Sequence, residues 1–577
     1  MTYARYAAEL QYRVHREQVQ LDYLRRATEH RTKEALAGRR TKRTHLPTQL
    51  EREQLPVHSK PVRPCDLDAI LQLAVGTPYE TRFRELLRVL HDGNFYGEVA
   101  VVEGPDLFAD KRSGLPRAID ALLQHQIIRR LRPGEKLVRT GKLFEVVEEK
   151  ATGERRLRII FWPMQLNDEF WARFEKDMHL SDVFDRCAEV HAGDAAACFD
   201  LTCSFFQFAL AEEVQLYYGF VAPDGTEYAF TRMVMGGVPS AEVCDVALKI
   251  LAYTQRDVVT TTHIDNVRFV GTKEEVAAAA KEFRRRCDQC RVTLNDEPEN
   301  EVHSAGKFLG IHFDYSAKTV ALSPKTRHKL QQWMLELDRL TLGDIASLFG
   351  QLMWASSVTG FNIADVYHSV KFFRRRLSLL HRNPDAENMP TTVWPCIRSQ
   401  LEQWLLALAV SPPRTPNTYC EVPQVTLFTD ASLTGWGGVL FDHHTGEWRE
   451  VGGKWKYDGR HINQLEMEAV RQVVEAFLPR LVGRHVHLLV DNTSVQSVIV
   501  HGRSQSFWLN ERFRAVADLT QHFASLRVDY VPSKANLADA LSRGERLVFP
   551  PQQLASPSGS GAFRQRDARL AGSTVPG

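Results

Sequence analysis

The spacing of apolar and polar positions changes character along the 577-residue chain. Residues 4–37 are rich in Glu, Arg, Leu and Ala with few breakers and predict a charged, exposed helix, which the prolines at 47, 56, 61 and 64 then end. Between about Leu115 and Leu322, short apolar runs of strand length alternate with helical stretches. Cys198-Phe199-Asp200-Leu201 is one such run, carrying a carboxylate and followed by Ser204-Phe205-Phe206-Gln207. Residues 258–262 are a β-branched run that turns at His263-Ile264-Asp265-Asn266 and returns over 267–270, predicting a hairpin with an acid at its tip. After Pro412, Pro413 and Pro416, a β-rich pattern begins with residues 425–429, which end at Asp430. A second strand follows over 435–440, then an apolar-periodic helix over 467–478 opened by Asn463-Gln464-Leu465-Glu466. Strands over 485–490 and 528–531 lead to Asp491 and, through Pro532-Ser533-Lys534-Ala535-Asn536, to Asp539.

Composition narrows the class. Hydrophobic residues are 44% and charged residues 25%, globular values that exclude a fibrous or collagen-like chain. At about 150 residues per domain the length predicts about four units, which excludes a single small binding module. The net charge of +2 hides an asymmetry: in residues 1–64 basic residues outnumber acidic ones two to one, with a run at Arg39-Arg40-Thr41-Lys42-Arg43. That segment reads as a nucleic-acid-binding arm, a nuclear-targeting run or a solvated helix. Nine cysteines without regular spacing predict a reduced protein, and Cys287 and Cys290 lack a second Cys or His pair, which favours ordinary thiols over zinc. No apolar run approaches the roughly 18 residues of a membrane span, and residues 1–10 lack a signal-peptide core. A soluble intracellular protein, cytoplasmic or nuclear and without a membrane partner, is expected.

The acids carry the chemistry. A carboxylate at a strand end and another at a hairpin tip, once together, would hold a hard divalent cation, because Mg²⁺ prefers carboxylate and phosphate oxygens. Taken singly, Asp200 and Asp265 are as readily solvated turn residues. Likewise Asp430, Glu466, Asp491 and Asp539 are each bland alone, but acids at strand ends and helix starts converge naturally in a mixed αβ sheet.

In order and spacing, these segments resemble reverse transcriptases. Residues 118–128 with Lys142-Leu143-Phe144-Glu145-Val146 and residues 153–167 resemble the fingers, and Phe199-Asp200-Leu201 through Gln207 the first palm motif. Met235-Gly236-Gly237-Val238-Pro239-Ser240-Ala241 is similar to the second, Thr262-His263-Ile264-Asp265-Asn266-Val267 to the Tyr-x-Asp-Asp hairpin, and Lys307-Phe308-Leu309-Gly310 to the primer grip. The four C-terminal acids resemble those of ribonuclease H. Polymerase followed by ribonuclease H is the order of retroelement reverse transcriptases of the LTR class. Residues 538–543, with Asp491-Asn492-Thr493, look most like the tyrosine-recombinase class, such as DIRS-like and VIPER elements.

The resemblance implies an α+β multidomain fold: a right-hand polymerase of fingers, palm and thumb followed by an αβ ribonuclease H fold. The expected segments are a basic helical N-terminus and linker (1–64), fingers and palm (65–318), thumb and connection (319–420), ribonuclease H (421–548) and a disordered tail (549–577). It implies an RNA-directed DNA polymerase with ribonuclease H activity, acting on RNA template, DNA primer, RNA/DNA hybrid and dNTPs, with two Mg²⁺ (or Mn²⁺) ions per active site. Asp200 and Asp265 would hold metal in the polymerase, with Asn266 beside them; Asp430, Glu466, Asp491 and Asp539 would do so in the nuclease, Glu468 being the alternative to Glu466. Arg158, assisted by Arg156 or Arg155, would contact the triphosphate. Phe205 would gate against a ribose 2′-hydroxyl, and Gly237 would let the backbone approach template or nucleotide. Arg374-Arg375-Arg376 reads as a duplex-phosphate contact or an exposed charge run.

The chain departs from the family pattern where His263 replaces Tyr, Asn266 replaces the second Asp and Gly236 stands where many retroviral members have Gln. A neutral amide oxygen is a weaker Mg²⁺ ligand, so a slower polymerase or one with altered metal preference is expected. Two alternatives follow: a catalytically decayed scaffold of a ribonucleoprotein, or a hybrid-specific nuclease whose polymerase half only binds.

Overall fold

The computed structural model describes residues 54–98, 113–149, 154–416, 422–456 and 458–546. The helix expected over 4–37, the basic run at 39–43 and the tail from 549 lie outside the described residues. The chain divides into two compact units between Tyr419 and Cys420, and the architecture is α+β throughout.

In the first unit, β1 (Val57–His58) runs parallel to the edge of an antiparallel hairpin made of β2 (Lys142–Glu149) and β3 (Arg155–Trp162). The stretch expected to be a linker is therefore docked at this point. Strand β3 buries Leu157, Ile159 and Phe161 and leaves Arg156, Arg158 and Ile160 on the other, partly exposed face, the period of two that a half-buried strand requires. A small sheet of Ile128–Arg130, Glu227–Phe230 and Gly219–Val221 packs into the same core.

The central sheet has the order β4 (Ala195–Asp200), then β6 (Asn266–Gly271), then β5 (Val259–His263), all antiparallel. Every residue of β4 before Asp200 is buried. Helix α1 (Ser240–Ala252) is buried on nearly all sides, and α2 (Lys273–Gln289) lays Val276, Ala279, Ala280, Phe283 and Cys287 down as one stripe. Phe283 meets Phe199 of β4 and Phe269 of β6 with ring centroids 5.0 and 5.6 Å apart. These contacts fix the strand ends that carry the acids.

A meander of β7 (Ala305–Phe308), β8 (Ile311–Asp314) and β9 (Thr319–Leu322) follows. It runs across the expected segment boundary at 318/319. Four helices come next: α3 (Pro324–Glu336), α4 (Leu342–Thr359), α5 (Tyr367–Arg382) and α6 (Pro395–Ala409). Helix α4 opens with a Thr341/Asp344 capping box and closes at Gly360 with φ 72°, where an L side chain is strained. Buried Trp404 of α6 donates its indole N–H to Ser356 of α4 at 3.0 Å. Ala196, Cys198 and Val270 of the central sheet share one hydrophobic core with the meander and these helices, so no seam separates them. Arg268 of β6 lies fully inside this core: its guanidinium is bonded to Glu189 and sits over the rings of Phe313 and Phe308 at 4.2 and 4.7 Å.

The second unit is a five-stranded sheet. Its order is β12 (Trp448–Lys454), β11 (Gly435–Asp442), β10 (Val425–Ala431), β13 (His485–Val490) and β14 (Ser525–Tyr530). The first three strands pair antiparallel and the last two join in parallel. Helix α7 (Ile462–Leu481) crosses β10 and β11 so closely that a Cβ at Gly438 would lie 2.3 Å from Val473. Helix α8 (Thr493–His501) is capped by Asn492, and a short α9 (Asp539–Ser542) lies against β11. Among the described residues, no helix is long and apolar enough to cross a membrane.

Candidate active sites

Asp200 ends β4 and Asp265 lies in the two-residue turn between β5 and β6, where Ile264 is held at φ 60°. A β-branched residue is strained there. Asp245 of α1, itself buried and paired with Lys249 at 2.7 Å, holds the turn from below by accepting from the Ile264 backbone N–H and the Thr262 hydroxyl, both at 3.2 Å. The β4–β6 register sets Asp200 opposite Asn266, which brings Asp200 beside Asp265, and the Leu201 N–H donates to the Asp265 carbonyl at 3.1 Å. The Asp265 carboxylate accepts from Ser204 Oγ and from Asn266 Nδ2, both at 3.0 Å. Burial first, then the charge of Asp265, pushes Asp200 up to about 7.

Asn295 opposes that shift by donating to Asp200 Oδ2 at 2.6 Å while accepting from Thr202 Oγ1 at 2.8 Å. Nothing in the local sequence marks Asn295, because it reaches Asp200 from 95 positions away.

Arg156 and Arg158 of β3 both reach Glu148 of β2, at 2.7 and 3.7 Å, and Arg156 also contacts His58 Nδ1 at 3.0 Å. Burial, with the two arginines adding to it, holds His58 down at about 4, so it is neutral at pH 7. Arg158 Nε is buried without a hydrogen-bond partner, a donor left for a ligand oxygen. Phe205, in a short 3₁₀ turn just beyond Asp200, is half-buried against the first core. Gly236 has φ 105° and a Cβ there would meet the Phe161 carbonyl at 2.4 Å, while a Cβ on Gly237 would lie 2.7 Å from Ser240 Oγ. Asn167 clamps this loop, donating to the Gly236 carbonyl at 2.8 Å and accepting from the Val238 N–H at 3.0 Å.

In the second unit, one ligand oxygen from each of Asp430, Glu466 and Asp491 lies within 4.8 Å of the others. The parallel β10–β13 pairing sets the two aspartates at adjacent strand ends, and Glu466 comes in from the first turns of α7. Asp430 and Glu466 are buried. Burial and the neighbouring carboxylates push Glu466 up to about 9 and raise Asp430 as well. Such crowding of like charge is relieved by a cation. Asp491 Oδ1, buried with no partner, supplies a second sign that a ligand belongs there.

Asp539 stands outside this trio and pairs with Arg543 at 2.7 Å, yet its charge still acts on Asp430 and Glu466. Glu468 points elsewhere, to Arg471 at 2.8 Å and Gln472 at 3.0 Å. Asn536 is a further contributor: its amide donates to the Thr429 carbonyl at 2.9 Å and to Asp430 Oδ1 at 3.2 Å. Among the described residues the acidic trio is the one group of three or more His, Cys, Asp or Glu side chains with metal-ligand spacing. Cys287 and Cys290 are buried in the first core, and burial raises the Cys290 thiol to about 11.

No family model matches the chain, and no curated protein is similar to it. Among solved structures it is similar to a foamy viral protease-reverse transcriptase. In a complex of that protein with double-stranded DNA the identity is 12%, 84% of this chain and 85% of that one are covered, and the TM-score is 0.44. In a complex with an RNA/DNA hybrid the values are 13%, 85%, 65% and 0.42.

Proposed function

We propose that this chain is an RNA-directed DNA polymerase with ribonuclease H activity. It would extend a DNA primer on an RNA template with dNTPs and cleave the RNA of the resulting hybrid. The observation that carries this reading is a crowded aspartate on a central strand in each unit, Asp200 beside Asp265 in one and Asp430 with Glu466 and Asp491 in the other. The donor sets are all carboxylate oxygen, the chemistry of Mg²⁺ or Mn²⁺. Asp200 and Asp265 would hold metal in one unit, and Asp430, Glu466 and Asp491 in the other, with Asp539 at its margin. When bound, paired ions neutralise the charge on a transferring phosphoryl group and polarise the attacking oxygen.

The chain's own groups do the rest. Arg158 and Arg156 present guanidinium N–H groups where a triphosphate would exchange for Glu148, and Phe205 would set the shape of the sugar pocket. Gly237 would let template or nucleotide approach the backbone closely. A retroelement origin accords with this pair of activities.

The nuclease-only alternative has one observation in its favour: Asn266 is neutral and spends its amide N–H on Asp265. Primer extension and hybrid cleavage by the whole chain, with Asp200→Ala and Asp430→Asn, separate the readings. Extension lost only in Asp200→Ala and cleavage lost only in Asp430→Asn is the expected pattern. Extension that survives Asp200→Ala, or is absent from the unaltered chain in both Mg²⁺ and Mn²⁺, refutes the polymerase; cleavage that survives Asp430→Asn refutes the nuclease.

A further inference from the structure

Two arginine triplets lie on helices of the first unit, and they differ in their surroundings. On α2, Arg284 pairs with Glu301, and Arg285 and Arg286 both pair with Glu282. On α5, Arg374, Arg375 and Arg376 have no carboxylate within ion-pair distance among the described residues, and the helix itself, YHSVKFFRRRLSLLHR, contains no acid. Unpaired cationic side chains crowded on one helix repel each other unless an anion joins them.

The i, i+3, i+4, i+7 spacing puts His368, Lys371, Phe372, Arg375 and Arg376 on one face of α5. That face forms, with the start of α6, a cleft of about 380 Å³. Phe372 is its buried floor, with the Arg376 guanidinium 5.3 Å from the ring centroid. Trp394, the residue before α6, stands edge-on to Phe372 at 6.1 Å and is 47% exposed, which leaves part of its indole open to a partner. Ser369 fixes the two helices by donating its N–H and hydroxyl to Gln400 Oε1, both at 2.8 Å, so the cleft is pre-formed.

We propose that this cleft binds one unpaired nucleotide of a single-stranded nucleic acid, the base against Trp394 and the flanking phosphates on Lys371, Arg375 and Arg376. The charge pattern asks for a polyanion, and the aromatic wall asks for a flat partner; a nucleic-acid strand supplies both at a spacing of one nucleotide. A duplex fits less well, since its base faces are covered by stacking and pairing and only the cations would be used. The volume lies within the roughly 300–1,000 Å³ of small-molecule sites, room for a nucleotide and not for a helix. The site shares no residue with either acidic cluster and needs neither to be active.

Fluorescence anisotropy of the whole chain with labelled dT and U 12-mers and a matched duplex, in EDTA, tests this without catalysis. Trp394→Ala is expected to weaken single-strand binding by about tenfold and duplex binding by less than twofold, and Trp394→Phe to restore most of the loss. Arg375→Ala should weaken binding and reduce its salt dependence. Ultraviolet crosslinking, read by peptide mass spectrometry, should place the oligonucleotide on residues 368–397. Unchanged single-strand affinity in Trp394→Ala, with circular dichroism showing the variant folded, overturns the proposal. So does an equal loss for inorganic polyphosphate and oligonucleotide in Arg375→Ala with none in Trp394→Ala, which would mark a general polyanion patch. Crosslinks confined to other segments overturn it as well.

Discussion

Replacing Glu466 by glutamine should stabilise the metal-free protein, and by an amount that depends on pH. Glu466 titrates near 9 in the folded chain against a usual value of 4.5, because it is buried among Asp430, Asp491 and Asp539. Between those values the native state holds a proton that the unfolded chain has released, so stability falls as pH rises through the window. At pH 7.5 the cost is about 4 kcal/mol, three pH units at about 1.4 kcal/mol each, and at pH 5 it is below about 1 kcal/mol. Glutamine keeps the shape of the protonated acid and removes the cost. For a unit of this size about 1 kcal/mol corresponds to roughly 4 °C, so the melting transition should rise by about 15 °C at pH 7.5 and by only a few degrees at pH 5. Calorimetry of the whole chain in EDTA reads this directly. Saturating Mg²⁺ should then narrow or invert the difference, since only the unaltered trio gains fully from the ion. An increment equal at both pH values, or a variant that melts lower at pH 7.5, would refute the crowding argument.

Other expectations concern the first unit. Asn295→Ala removes the donor to Asp200 Oδ2 and should lower primer extension by about 10- to 100-fold while leaving hybrid cleavage intact; equal extension would show Asn295 to be a bystander. With Glu466→Gln silencing the other site, Mg²⁺ affinity measured by calorimetric titration should weaken by close to tenfold per pH unit below about 7, where Asp200 takes up its proton. Affinity independent of pH between 5.5 and 7 would contradict the placement of that carboxylate. Arg268→Met should destabilise the first unit by about 3–5 kcal/mol in urea unfolding, because Glu189 loses its buried partner. A loss below about 1 kcal/mol would mean that Glu189 finds water instead.

The local pattern of the chain was enough for the elements that carry chemistry. Strand His485–Val490 lies where its strand-like run places it, and the hairpin around Asp265 is present with a tighter turn of two residues. The acids at 200, 265, 430, 466 and 491 stand out only through their order and spacing along the chain, since each alone reads as readily as a solvated strand-end, turn or helix-start residue. What the sequence could not show is distance. That Asp430, Glu466 and Asp491 converge within 4.8 Å while Asp539 turns to Arg543 depends on strand register and on how α7 lies across the sheet.

Tertiary structure also decided which neighbour a side chain serves. Asn295 and Asn536 become partners of Asp200 and Asp430 across 95 and 106 positions, and Gly236 rather than Gly237 meets a carbonyl. Likewise the two arginine triplets are alike as strings, one neutralised by Glu282 and Glu301 and the other left facing an aromatic cleft. Periodicity is set by bonds between near neighbours and so is written along the chain. Hydrogen bonding and charge act through space, and only the fold determines which groups are near.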